Sequence, residues 1–283
     1  MALVKKLEDL TRRFLPDSRM SCFMLDEITP VLLTFNEAPN IGRTLSCLTW
    51  AKDIVIVDSG STDETASIVA GFPQTRVFQR AFDTHANQWR YATNETGIRT
   101  NWILRLDADY EVTETLKEEL SRLNPNATVD AYRIPFDYAI FGRKLISSLY
   151  PPNTILLRKD KFSVDDRGHT EAWTVRGRIE DLRTCIIHDD RKSTEQWMSS
   201  QARYMRRELA YFQRNPSGLK SWLRLRPPIM PVAVFLHCLF VKGLILNGRA
   251  GIFYALQRLI AEAVLSLMVI EERLRSNVGQ TSK

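Results

Sequence analysis

Two hydrophobic periods alternate along the first half of the chain. Residues 28–34 (ITPVLLT) form a continuous apolar run of strand length, and Pro39 opens a helical stretch with Ile41, Leu45 and Leu48 on one face. Residues 53–58 (DIVIVD) read as a second buried strand, rich in β-branched side chains. Ser61-Thr62-Asp63-Glu64 has the form of a capping box and predicts the start of the next helix. A short strand over 76–79, a helix over 85–99, a strand over 101–106 and a one-sidedly charged helix over 113–123 follow. Strands alternating with helices predict an α/β fold with a parallel sheet covered on both faces.

From residue 129 the period changes. Residues 131–136 (AYRIPF), 138–141 and 155–158 are short strand-like runs separated by Gly, Pro and Asn. Tyr150-Pro151-Pro152-Asn153 predicts a rigid loop, because two prolines preset φ and remove donors. At the other end, MALVKKLEDLTRRFLPD places Leu3, Leu7, Leu10 and Phe14 at helical spacing, broken by charges. It predicts a short amphipathic helix within residues 1–27, not a secretory signal, since no apolar core follows the lysines. The body is therefore expected to stay in the cytoplasm.

Composition narrows the class. The 283 residues are 44% apolar and 25% charged, which excludes a disordered or collagen-like chain. The net charge of +6 hides an asymmetry, because residues 191–283 carry 15 basic and 5 acidic side chains. A slightly acidic body with a basic end does not have the charge of a general nucleic-acid binder. It is the balance of an enzyme with a surface-seeking tail. Cys22, Cys47, Cys185 and Cys238 are scattered, without metal-ligand spacing, and Cys47 and Cys185 are read as small buried hydrophobes.

In open α/β sheets ligands bind beyond the carboxyl ends of the strands. The polar groups there are Thr34-Phe35-Asn36-Glu37, Asp58-Ser59-Gly60-Ser61 and Asp107-Ala108-Asp109. A nicotinamide-binding fold needs glycines in its first strand–helix turn, and FNEAPNI has none. Asp58 alone is as well explained as a turn former. The pair Asp107 and Asp109, spaced i, i+2 at a strand end, can face one cation if the chain bends. Such oxygen ligands suit Mg²⁺ or Mn²⁺ bridging to substrate phosphates.

Taken together, Thr34-Phe35-Asn36-Glu37, Val57-Asp58-Ser59-Gly60-Ser61-Thr62-Asp63 and Trp102-Ile103-Leu104-Arg105-Leu106-Asp107-Ala108-Asp109 resemble the family 2 glycosyltransferases of the GT-A fold. The resemblance runs from about residue 28 to 188 and is nearest to the bacterial lipopolysaccharide-core β-1,4-glucosyltransferases. It implies an inverting, metal-dependent transfer of a sugar from a nucleotide-sugar donor, usually a uridine one. It further implies that Thr34, Asn36 and Glu37 line the nucleotide pocket, that Asp58 contacts base or ribose, and that Asp107 sits near ribose or metal. Asp109 would hold the metal. The domain would span 28–190, with a nucleotide-sugar half over 28–124 and an acceptor half over 125–190.

The sequence departs from the family pattern in three places. Tyr110 stands where the subfamily has an acid, and Glu111 comes one place later. Gln88-Trp89-Arg90 stands where a basic residue often meets the diphosphate, which makes Arg90 a candidate and Trp89 a packing residue. His169-Thr170-Glu171 has one residue inserted into the usual His-Glu pair. An inverting transfer needs a carboxylate to take the acceptor's proton. The resemblance carries that role to Glu171, with Asp181 as the alternative and Asp166 and Glu180 as competitors; Asp165 and Glu180 also read as ordinary loop charges. His169 is a candidate diphosphate or metal contact, and His188, after an apolar strand, a weaker metal candidate.

Residues 191–226 hold nine basic and two acidic side chains with aromatics interleaved. Two apolar segments follow, over 229–246 and 250–270. Pro231, His237 and Lys242 interrupt the first, and Gln257, Arg258 and Glu262 the second. Neither reads as a clean membrane span. Helices lying in the interface, with basic residues towards anionic headgroups, fit the pattern better; packing on the core or a homodimer interface are the competing readings. The expected whole is a GT-A-like sheet with a membrane-associating helical extension at the cytoplasmic face of the inner membrane. Its acceptor would be a glycan or lipid-linked oligosaccharide, with no nucleic acid as partner. The rival functions are a nucleotidyltransferase or sugar-phosphate pyrophosphorylase, and an inactive membrane scaffold of transferase fold.

Overall fold

A computed structural model of the chain describes residues 24–124, 128–166, 171–214, 224 and 229–280. The amphipathic helix expected near the N-terminus lies outside them. The first half runs β1 (Ile28–Thr34), α1 (Ile41–Ser46), β2 (Ile54–Asp58), α2 (Thr65–Val69), β3 (Thr75–Gln79), α3 (His85–Asn94), β4 (Trp102–Asp107), β5 (Tyr110–Val112) and α4 (Glu114–Ser121). The second runs β6 (Ala131–Ile134), β7 (Phe136–Ile140), β8 (Arg143–Lys144), β9 (Asn153–Arg158), β10 (Phe162–Asp166), β11 (Glu171–Val175), β12 (Ile179–Asp181) and β13 (Ile186–His188).

Seven strands form the central sheet in the order β12-β6-β9-β4-β1-β2-β3. Strands β3, β2, β1 and β4 are parallel, as the alternation predicts. The remainder is not: β9 is antiparallel to both β4 and β6. No crossover helix precedes β9, so the chain leaves the Pro151-Pro152 loop and runs back along β4. That reversal brings the loop to the carboxyl end of the parallel strands.

The strands are buried on both faces because their side chains alternate between two cores. Leu32, Ile54, Ile56 and Leu104 pack with Leu45 of α1 and Leu116 of α4. Val31, Val55, Val57 and Ile103 pack with Trp89 and Ala92 of α3. The register aligns the functional ends, pairing Thr34 with Asp58 and Leu33 with Asp107.

Two predicted boundaries move. Helix α2 starts at Thr65, and Ser61 does not cap it. The Asn36 backbone N–H, 2.9 Å away, takes the Ser61 hydroxyl, while Asp63 accepts from the Thr65 N–H at 3.0 Å. A tertiary donor from the neighbouring loop thus outcompetes the local box. Helix α3 stops at Asn94 rather than near 99, and Gly97 follows at φ +69. At α4 the expectation is nearly met, with the Thr113 hydroxyl accepting from the Leu116 N–H at 3.1 Å. A cap of this kind contributes about 1 kcal/mol.

A second sheet, ordered β5-β13-β7-β8, stands beside the first. Beyond it come α5 (Thr194–Arg214), α6 (Ile229–Leu236), a π turn (His237–Val241), a 3-10 turn (Leu244–Asn247) and α7 (Gly248–Gln280). Helix α7 has 33 residues, a length of about 50 Å. By length and composition, Leu244–Ser276 is apolar and long enough to cross a membrane. Arg258 and Glu262 interrupt this run in the sequence, but both turn towards protein: Arg258 lies over the Tyr254 ring, and Glu262 pairs with Arg224 at 2.6 Å. Leu265 and Val269 of α7 pack against Leu209 and Phe212 of α5.

Candidate active site

The site forms where β4 ends and the second sheet begins. Strand β13 pairs with β5 on one side and β7 on the other, setting His188 opposite both Tyr110 and Tyr138. Ring centroids lie 5.2 Å from His188 to Tyr110 and 4.6 Å to Tyr138. Tyr150, from the Pro-Pro loop, closes the cage at 4.9 Å, and its hydroxyl is 2.6 Å from that of Tyr110. His188 Nε2 lies 3.1 Å from Asp109 Oδ2. The Asp189 N–H also donates to the Asp109 carbonyl, which locks the end of β13 to the turn after β4.

Carboxylates converge on this turn. Asp107 is solvent-accessible at the end of β4 yet surrounded by protein, as on the floor of a cleft. Its carboxyl is pushed up by that burial, then by the charges of Asp109 and Glu171, against a hydrogen bond from Tyr110. Burial acts the same way on Asp109, but the neighbouring His188 outweighs it and holds the carboxyl below its ordinary value. Burial alone would depress His188, and Asp109 then raises it. Glu171, at the start of β11, accepts from Trp173 Nε1 at 3.2 Å and lies 3.7 Å from Arg105 Nη1. Arg105 is itself held by the Thr154 carbonyl at 2.8 Å and stacks 4.7 Å from the Trp173 ring.

The loop after β1 adjoins this group, near enough for the Asp109 charge to act on Glu37. Asn36 adopts φ 54, in the left-handed region, and its side-chain oxygen accepts from the Thr62 N–H at 2.8 Å. Thr34 is buried, with its hydroxyl unpartnered. Asp58 is buried and accepts from the Ser61 N–H through both oxygens at 3.0 Å, the turn-forming arrangement that a strand-end acid permits. Glu37 meets Lys192 Nζ at 2.5 Å and accepts from Asn40 Nδ2 at 3.0 Å.

Burial pushes the Glu37 carboxyl up to about 7, Lys192 opposing and Asp109 reinforcing it. Burial opposes the charge on Lys192, but Glu37, Asp190 and Asp109 together raise it. Burial thus moves Glu37 up, while several carboxylates around one ammonium move Lys192 up. An acid whose folded pKa exceeds its unfolded value loses stability as pH rises between the two. From Glu37, stability is expected to fall between about pH 4.5 and about 7. Glu37→Gln should flatten that fall, read from urea midpoints at pH 5 and pH 7.5; an unchanged pH difference would count against it.

The remaining predicted residues lie elsewhere. Arg90 donates to the Val164 carbonyl at 2.8 Å and to Asn87 Oδ1 at 2.8 Å, tying α3 to β10. Trp89 beside it is buried and packs edge-on against Trp173 at 5.3 Å. Asp181 is on the edge strand β12 and pairs with Arg133 at 2.5 Å, and Glu180 pairs with Arg178 at 2.5 Å. His169 and the Asp166 side chain lie outside the described residues. Glu111 turns from the cleft to pair with Arg43, so Tyr110 alone of the two faces His188.

No motif or hydrophobic period assigns Lys192, Tyr138, Tyr150 or the Asn40–Asp189–Arg191 network to the site. Asn40 Oδ1 accepts from the Arg191 N–H at 2.8 Å, and the buried Asp189 accepts from the Gly142 N–H at 2.9 Å. In the sequence Lys192 is one more charge of the basic tail, marked only by its position four residues after His188.

Among the described residues no three His, Cys, Asp or Glu side chains form a protein-only metal cage. Asp109 Oδ1, however, is buried without a hydrogen-bond partner. A hard divalent cation held by one or two carboxylates and completed by phosphates fits such an orphan acceptor.

The glycosyl transferase family 2 model matches residues 30–183. The chain belongs to that family, and the sheet with its flanking helices is the GT-A-like fold the sequence predicts. It is 31% identical over 114 residues to an uncharacterized glycosyltransferase of Rickettsia bellii, covering 40% of this chain and 38% of that protein. It is 32% identical over 101 residues to the lipopolysaccharide core biosynthesis glycosyltransferase LpsC of Rhizobium meliloti, covering 34% and 36%. The matched region thus spans well under half the length of either relative. Among solved structures, S. aureus TarS 1-349 in complex with UDP-GlcNAc aligns over 84% of this chain and 81% of that one, at 15% identity and TM-score 0.48.

Proposed function

We propose that this protein is an inverting glycosyltransferase that moves a sugar from a nucleotide-sugar donor, a uridine diphosphate sugar, to a lipid-linked oligosaccharide or lipopolysaccharide-type acceptor at the cytoplasmic face of the inner membrane. The observation that carries it is the convergence of Asp107, Asp109, Glu171 and His188 on one cleft at the carboxyl end of β4. The name of the Rhizobium relative supports the acceptor class.

In this reading Thr34, Asn36, Glu37 and Asp58 line the nucleotide pocket, with Asp107 near the ribose. Mg²⁺ or Mn²⁺, held by Asp109 with Asp107 and with His188 beside them, would offset the charge building on the departing diphosphate. Glu171 takes the proton of the acceptor hydroxyl as its oxygen bonds to the anomeric carbon from the face opposite the diphosphate. The bond from that carbon to the phosphate oxygen breaks, and the nucleoside diphosphate leaves with the electron pair. Arg105, 3.7 Å from Glu171, holds that carboxylate in place.

A screen of nucleotide sugars with a membrane extract as acceptor source tests this. Extract-dependent release of nucleoside diphosphate from one donor is the expected result. Pyrophosphate release from a nucleoside triphosphate and a sugar phosphate would overturn it in favour of a pyrophosphorylase. Failure to bind any nucleoside diphosphate with Mn²⁺ present would leave a scaffold.

A further inference from the structure

Large apolar side chains are exposed around the turn between α6 and α7. Val241 is 73% and Leu246 81% accessible, and Phe240 and Ile245 are also exposed. The catalytic domain contributes to the same surface. Residues 141–149, between β7 and β9, lie directly against this turn: Ser147 Oγ donates to the Lys242 carbonyl at 2.7 Å, and the Ile146 N–H donates to Asn247 Oδ1 at 3.1 Å. The Phe141 ring is 5.9 Å from Phe253. Phe141 and Ile146 are themselves exposed and join the patch. Soluble monomers rarely leave so many large apolar groups together in water.

The surrounding charge has one sign. Residues 138–159 and 229–261 contain no Asp or Glu, while Arg143, Lys144 and Arg249 are exposed and Lys242 is half-buried at the turn. Lys144 is partly offset by Asp137 at 2.5 Å. Apolar tips ringed by cations are the chemistry of an interfacial lipid contact. Tyr150, the residue that follows this loop, packs against His188.

We propose that the 240–246 turn and the 141–149 loop together form a docking surface for an anionic bilayer, entering its interface without crossing it. Helix α7 then lies against the catalytic body. Its Tyr254 hydroxyl accepts from the Leu149 N–H at 3.0 Å, its Tyr254 ring packs 4.9 Å from Tyr138, and its Glu262 is held by Arg224. Docking on this face sets the cleft mouth beside the lipid headgroups, where a lipid-linked acceptor is concentrated. Only that last point rests on the proposed transferase activity; the docking does not.

Sedimentation of the full chain with phosphatidylglycerol–phosphatidylcholine vesicles, and with phosphatidylcholine alone, tests the surface. Binding should need the anionic lipid. F240S/L246S and F141S/I146S should each weaken it about ten-fold or more, since each pair withdraws two large apolar groups from the interface. Thermal unfolding and Mn²⁺-dependent nucleoside diphosphate binding should stay as in the wild type. Vesicle binding unaffected by either pair would overturn the proposal, and loss by the first pair alone would remove the catalytic loop from it. Resistance of the native protein to alkaline carbonate extraction would show a crossing helix instead. A wild-type dimer that both pairs make monomeric would assign the patch to a second copy. Nucleotide binding reads the donor site separately, so failure there leaves the lipid result standing.

Discussion

Asp109→Asn is expected to lower sugar transfer by at least about 100-fold at saturating donor and divalent cation. Loss of a group that only orients a metal ligand costs about 10–100-fold, and the proposed role of Asp109 is closer to the metal than that. The substitution keeps size and shape but removes the charge that raises His188, and that loss should weaken cation binding in the cleft. Two features make the result interpretable. Asp109 Oδ1 has no protein partner to lose, and the amide oxygen can still face His188 Nε2. Mn²⁺-dependent binding of nucleoside diphosphate should weaken in parallel, with the unfolding temperature near that of the wild type. A variant that kept full activity would remove Asp109 from the metal site.

Glu171→Gln should act on a different quantity. A glutamine cannot take the acceptor's proton, so kcat is expected to fall by about 10²–10⁴-fold, the usual contribution of a general base. Donor affinity should change little, because the proposed nucleotide wall is Thr34 and Asp58 at the ends of β1 and β2 with Asn36 and Glu37 of the loop after β1, away from β11. Asp181→Asn, on the edge strand and paired with Arg133, is the comparison and should stay within about two-fold. A loss confined to donor affinity in the Glu171 variant would assign the base to another acid.

The two variants probe groups whose legibility in the sequence differed. The parallel core could be read because β1, β2 and β4 are continuous apolar runs whose burial needs no further information, and Ile28–Thr34 lies where the run predicts. Their polar ends could be read because a parallel sheet presents them on one edge. The antiparallel β9 was harder, since a short apolar run has the same pattern in either direction. The membrane-length helix was hidden by Arg258 and Glu262, whose partners Tyr254 and Arg224 lie one turn and 38 residues away. The π turn and 3-10 turn that precede it carry no periodic signal at all.

Local sequence therefore determined which segments become buried strands, where their polar ends fall, and that Asp107 and Asp109 share one turn. It also determined the charge asymmetry, with a basic end beside the long apolar segments. Tertiary structure decided what surrounds those groups. The row of Tyr110, His188 and Tyr138 depends on the register of three strands from distant parts of the chain. The pairing of Glu37 with Lys192 spans 155 residues, and the meeting of the 141–149 loop with the turn before α7 spans about 100. The physical reason is one of range. Hydrophobic period and capping act over a few neighbours and are written in local sequence, whereas register and long-range ion pairs are fixed only when the sheets have closed.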